Sequence, residues 1–151
     1  EIECTPEEAR SFMGLPDVSA ANSVYVDNIA KAMQGVSNPD QLAQYAIAAK
    51  AANFGFTGFS AERGRLLHTQ NFTGGKLDTP SCTSCHGKDT RGAGRAPSGK
   101  TIDAMAVSTS SARYTDPAKV EKWFKRNCTE VLGRVCTDQE KGDWLTFMLS
   151  Q

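Results

Sequence analysis

The chain contains no run of about 18 or more apolar residues, so nothing in it reads as a transmembrane helix. It has no surplus of charge of either sign. Its 17 basic and 17 acidic side chains leave a formal net charge of zero, which argues against a general binder of nucleic acid or of an anionic membrane. It does not open on a basic stretch followed by an apolar one, and the expectation is that any signal peptide has been removed. No strand alternation, internal repeat, catalytic triad, phosphate loop or acid pair stands out. What remains is 151 residues, 39% of them hydrophobic. That is enough for one cored domain, or one domain plus an extension. The five cysteines are an odd number, so their chemistry has to be apportioned.

The periodicity is helical. "CTPEEARSFMGLPDV" has Thr5 as N-cap, Pro6 at the first helical position and Glu8 closing a capping box, with Gly14 as the stop. A second helix is predicted from about Ser19 to Met33. "SNPDQLAQYAIAAKAANF" starts again with Asn38 and Pro39, and Leu42, Tyr45, Ala46 and Ala49 form its stripe. "FSAERGRLLHTQ" is capped by Ser60. From Phe72 to Ser111 Gly, Pro, Ser and Thr abound and periodicity stops, which predicts loops with one short helical turn at most. "TDPAKVEKWFKRNC" begins a helix capped by Thr115 or Asp116, and Thr137 with Glu140 caps the last one.

Within the loop stretch lies "SCTSCHGKDT". Cys82-x-x-Cys85-His86 has the form of a c-type haem attachment site. Two thiols at this spacing can reach two vinyl groups on a porphyrin edge, and the adjacent imidazole can turn beneath the iron as proximal ligand. A thioredoxin-type CxxC would need a βαβ surround, which the pattern lacks. A zinc site would need two further ligands at metal spacing, and Cys128 and Cys136 do not form a second CxxC. Gly87 suits a tight turn beneath a planar ligand.

"ERGRLLH" and "DWLTFML" look like the crossing terminal helices of a class I cytochrome c. Gly64 would allow the close approach, with Trp144, Leu145, Phe147 and Met148 opposite; ordinary packing around a tolerated glycine is the plainer alternative. The iron's second axial ligand is open on residue grounds. Met105 and Met148 are the methionines after the motif, and Met148 falls on an apolar stripe where core packing is expected. His68 could give a bis-histidine site, but its place on the buried stripe favours packing against the last helix. Asn127 is a further candidate. Cys128 beside it can pair with Cys136, a short loop worth about 2.5 kcal/mol of unfolded-chain entropy. Asn127 as a simple helix C-cap is the alternative.

From about Val36 to Gln151 the chain resembles the sphaeroides haem protein family of high-spin class I cytochromes c. "NPDQL", "AERGR", "TGGKLDTPSCTSCHG", "ARYTDPAKVEKW", "RNC", "VLGRVCT" and "EKGDWL" carry the resemblance. It implies an all-α, class I cytochrome c-like fold around one covalent haem c held by Cys82, Cys85 and His86. It also implies Asn127 as the sixth ligand of ferric iron and a Cys128–Cys136 disulfide. His68 departs from the family, which usually has a large apolar or aromatic side chain there. The first 35 residues lie outside the match and read as a helical extension, residues 1–35, before a cytochrome domain, residues 36–151.

An amide oxygen is a hard, neutral, weak donor that suits ferric iron better than ferrous. Reduction is therefore expected to loosen Asn127 and to open a position for O₂, NO or CO, and the potential is expected to be low for a c-type haem. Trp123, one turn before Asn127, would wall the distal pocket or else belong to the core. The resemblance implies electron supply from a partner cytochrome, either a dihaem c-type or a membrane b-type protein. A plain six-coordinate electron carrier with Met or His as ligand is the competing class. The basic loop 87–100 could face an acidic redox partner or be a solvated surface. Cys4 is left unpaired, free or linking two chains. Haem c attachment and a persistent disulfide both point to the periplasm.

Overall fold

The computed structural model describes residues 39–151. The expected helices around Thr5–Gly14 and Ser19–Met33, the Asn38 cap and Cys4 lie outside the described residues. Four main helices form the body: α1 (Pro39–Ala52), α2 (Ala61–Thr69), α5 (Pro117–Leu132) and α6 (Asp138–Ser150). Between α2 and α5 run two single turns, α3 (Thr83–His86) and α4 (Val107–Ser110), a 3₁₀ turn (Ser111–Tyr114), and a minimal antiparallel pair, β1 (Gly94–Arg95) with β2 (Thr101–Ile102). The fold is all-α. Among the described residues no helix is long and apolar enough to cross a membrane.

The caps fall where the sequence puts them. Ser60 Oγ accepts from Arg63 N–H at the start of α2. Asp116, not Thr115, caps α5, accepting from Ala118 and Lys119 N–H. Thr137 and Glu140 form the full capping box of α6. These satisfy amides that the first turn of a helix leaves without partners.

The expected stretch of loops is more structured than its composition suggests. The strands are two residues each, too short to leave any alternation in the sequence. Backbone pairing, such as Ala96 N–H to Lys100 O at 2.8 Å, holds the hairpin.

The core is a layer between α1 and α6, closed by residues of the 3₁₀ turn and α5: Leu42, Tyr45, Met105, Tyr114, Val120, Leu145, Phe147 and Met148. A second cluster, Cys128, Val131, Leu132 and Cys136, packs against Leu67 and Phe72. The crossing of α2 and α6 is as close as the Gly64 reading expects. A Cβ built on Gly64 would meet Asp143 O at 2.1 Å and Phe147 Cβ at 2.8 Å, so only glycine fits. Asp143 is buried there, and it is fully satisfied. Arg63 Nε donates to its Oδ2 at 2.7 Å, Arg63 Nη2 to Oδ1 at 2.9 Å and Ser60 N–H to Oδ1 at 2.7 Å. A buried carboxylate is tolerated when paired and hydrogen-bonded in this way.

Candidate haem site

The cysteine motif is presented by α3, whose single turn is built by its own sequence. Ser81 is buried just ahead of it. Its hydroxyl donates to His68 O (3.2 Å) at the end of α2 and accepts from Thr83 N–H (3.1 Å). One serine thus ties the motif to the helix that crosses α6. Gly87 ends the turn at φ 70°, in the left-handed region that glycine enters freely. Gly94 of β1 lies against the motif from the other side, where a Cβ would meet Cys85 O at 2.3 Å.

Cys82 and Cys85 are half-buried free thiols, while Cys128 and Cys136 are joined in a disulfide with Cα atoms 5.6 Å apart. Burial pushes the Cys82 thiol up to about 11 and also raises Cys85. Burial, assisted by Arg113, takes His86 down to about 4, so its imidazole is neutral, the form that ligates a metal. His86 Nδ1 is buried with no hydrogen-bond partner. No three His, Cys, Asp or Glu side chains come together among the described residues, so the zinc reading finds no ligand set. Two accessible thiols beside a neutral imidazole fit a covalently attached porphyrin.

Each candidate for the second axial position has a defined place in the fold. His68 is fully buried on α2 and packs against the last helix, as its stripe expects. Trp144 Nε1–H donates to its Nδ1 (3.2 Å), and the rings of Phe147 and His86 lie 5.8 and 6.3 Å away. Burial, then His86, lowers its pKa to about 4. Met148 is fully buried in the core, and Met105 Sδ accepts from Arg113 Nε–H at 3.2 Å. Asn127 is half-buried in the interior of α5, which runs on to Leu132 and ends at Gly133 with φ 75°. The C-cap alternative for Asn127 is therefore wrong: the left-handed glycine does the capping. Trp123 is 45% exposed under the Arg126 guanidinium (5.4 Å), so the core alternative for Trp123 is wrong as well.

Residues 54–148 match a family described as a domain of unknown function (DUF1924). The chain is 48% identical over 121 residues to the cytochrome c-type protein SHP of Cereibacter sphaeroides, covering 80% of this chain and 89% of that one. The chain belongs to the SHP family of c-type cytochromes. The solved structure of oxidised SHP, an oxygen-binding cytochrome c, superposes with a TM-score of 0.70 at 46% identity, covering 77% of this chain and 98% of SHP. Oxidised cytochrome c'' of Methylophilus methylotrophus gives 0.67 at 26% identity, covering 76% and 94%. Residues 1–47 match a separate family of unknown function (DUF6489). As in other members of the SHP family, the cofactor is one covalent haem c. Three parts of this site escaped the sequence reading. Ser81 could have been suspected, since a serine two residues before an amide it can bond is a common turn device. The Trp144–His68 bond and the place of Arg113 depend on helix crossings that no local pattern encodes.

Proposed function

We propose that this protein is a monohaem cytochrome c that binds small diatomic ligands in its reduced state. Cys82 and Cys85 carry the haem, His86 is the proximal ligand and Asn127 the sixth ligand of ferric iron. The haem supplies a redox-active iron with one exchangeable position. The observation that carries this reading is that the competing donors lie buried in the core. Met148 and Met105 are core residues, the latter engaged by Arg113, and His68 has Nδ1 on Trp144 and no exposed edge. Asn127 is held differently. It is half-buried in mid-helix, and the next residue is locked by the Cys128–Cys136 disulfide, which fixes the backbone that presents the carboxamide.

A carboxamide oxygen is a weak neutral donor, and it loses more than a thioether would when the iron gains an electron. With haem bound, Asn127 would be the group that yields on reduction and leaves a place for O₂, NO or CO, and a partner cytochrome would supply the electrons. Trp123, one turn earlier on α5, borders the same side. The relation to SHP, itself an oxygen-binding cytochrome c, supports ligand binding here. The chemistry of haem attachment and a stable disulfide support a periplasmic location. Residues 1–35 are taken as a separate extension; the two family matches, residues 1–47 and 54–148, divide the chain further along.

Asn127→Leu tests the ligand directly. The ferric holoprotein is expected to lose its sixth protein ligand, with a changed ferric spectrum, while the reduced spectrum stays as in the wild type. A variant whose ferric spectrum is unchanged would remove Asn127 from the iron.

A further inference from the structure

Arg113 is the one half-buried arginine among the described residues; the others are exposed. Arg63, Arg65 and Arg134 each hold a carboxylate. Arg113 forms no such pair among the described residues. Its hydrogen-bond partners are neutral: the thioether Met105 Sδ, a weak acceptor, and the hydroxyl of the neighbouring Tyr114. A guanidinium stays charged at every accessible pH, and withdrawing it partly from water without an anion is costly. The site is nonetheless fixed on several sides. Met105 N–H is bonded to Thr90 O (2.9 Å), four residues past His86, and Tyr114 O–H donates to Met105 O. The Tyr114 ring lies 6.3 Å from Trp144, which is bonded to His68, whose ring in turn faces that of His86. Arg113 thus belongs to the wall around the proximal ligand. Asp116, the carboxylate three residues further along the chain, is engaged as the cap of α5.

A c-type haem brings two carboxylates of its own, the propionates. We infer that Arg113 holds a haem propionate through its terminal nitrogens while its Nε stays on Met105. The planar fork suits a carboxylate, and the contact clamps the 3₁₀ turn to the cofactor. Arg113 is then a positioning residue for the haem and the counter-charge that keeps one propionate ionised. This rests on covalent haem at Cys82, Cys85 and His86, which the haem content of each variant reports separately.

The test is the midpoint potential of the holoprotein as a function of pH for wild type, Arg113→Lys and Arg113→Gln. The wild type is expected to be flat from about pH 5 to about pH 8, since a paired propionate stays ionised across that range. Arg113→Gln is expected to shift to a more negative potential, because the unpaired carboxylate favours ferric iron. Its potential is also expected to climb again as pH falls and that carboxylate takes up a proton. Arg113→Lys is expected to lie between the two. A glutamine variant with the wild-type potential, or one lowered equally at every pH, overturns the contact. If the glutamine variant fails to load haem, a crystal structure of the wild-type holoprotein decides the matter. A propionate oxygen within hydrogen-bond distance of Arg113 supports the inference, and both propionates elsewhere refute it.

Discussion

His68 shows how much of the site turns on single atoms. The side chain is fully buried, its Nδ1 accepts from Trp144, and its Nε2 has no partner. Replacing it with phenylalanine removes one hydrogen bond and one unsatisfied polar group, two terms of opposite sign and about 1 kcal/mol each. His68→Phe is therefore expected to attach haem normally and to unfold in denaturant within about 1 kcal/mol of the wild type. A changed ferric optical spectrum in that variant would instead make His68 an axial ligand. The sequence placed His68 on a buried stripe through its spacing from Gly64, and that spacing held. It could not distinguish a packed imidazole from a ligating one, because the distinction lies in Trp144, on a helix far along the chain. Met105 is a similar case. It lies only 19 residues past His86, and only the folded chain brings Arg113 to its sulfur.

At the level of elements, starts were legible and ends were not. Caps are written in one or two residues, so Ser60, Asp116 and Thr137 could be read directly. The end of α5 remained open because Asn127 is a plausible cap, although Gly133 offers the stronger stop signal. The α2–α6 crossing was legible through one glycine. Gly64→Ala is expected to destabilise the fold by about 3 kcal/mol or more, since the added methyl meets backbone that cannot move aside; chemical denaturation measures it. The start of α6 should be acid-sensitive. Glu140 accepts from Arg134 and from Thr137 N–H, and the Arg134 contact foremost holds its pKa below the usual carboxylate value. A depressed folded-state pKa gives stability that is present above the unfolded-state value and is lost as pH falls through the carboxylate range. Glu140→Gln is expected to flatten that part of the acid limb by about 1 kcal/mol or less, read as thermal midpoint against pH.

Across the whole molecule, a polar, loop-rich middle segment is held by a few fixed points. These are Ser81 on α2, Gly94 on the cysteine motif and the disulfide at the end of α5. Replacing Cys128 and Cys136 together by serine is expected to cost about 2.5 kcal/mol through the freed loop. It should also broaden the ferric spectrum if that staple steadies Asn127. The acidic residues Glu1, Glu3, Glu7, Glu8, Asp17 and Asp27 crowd the first 38 positions, against only Arg10 and Lys31. The cytochrome residues carry the complementary surplus of lysine and arginine, so the neutral total conceals two oppositely charged parts. The most direct measurement on the central claim is the optical spectrum of the reduced holoprotein before and after addition of carbon monoxide. A high-spin ferrous spectrum that converts to a carbonyl complex is expected if Asn127 lets go of the iron. A sharp low-spin α-band that carbon monoxide leaves untouched would contradict it.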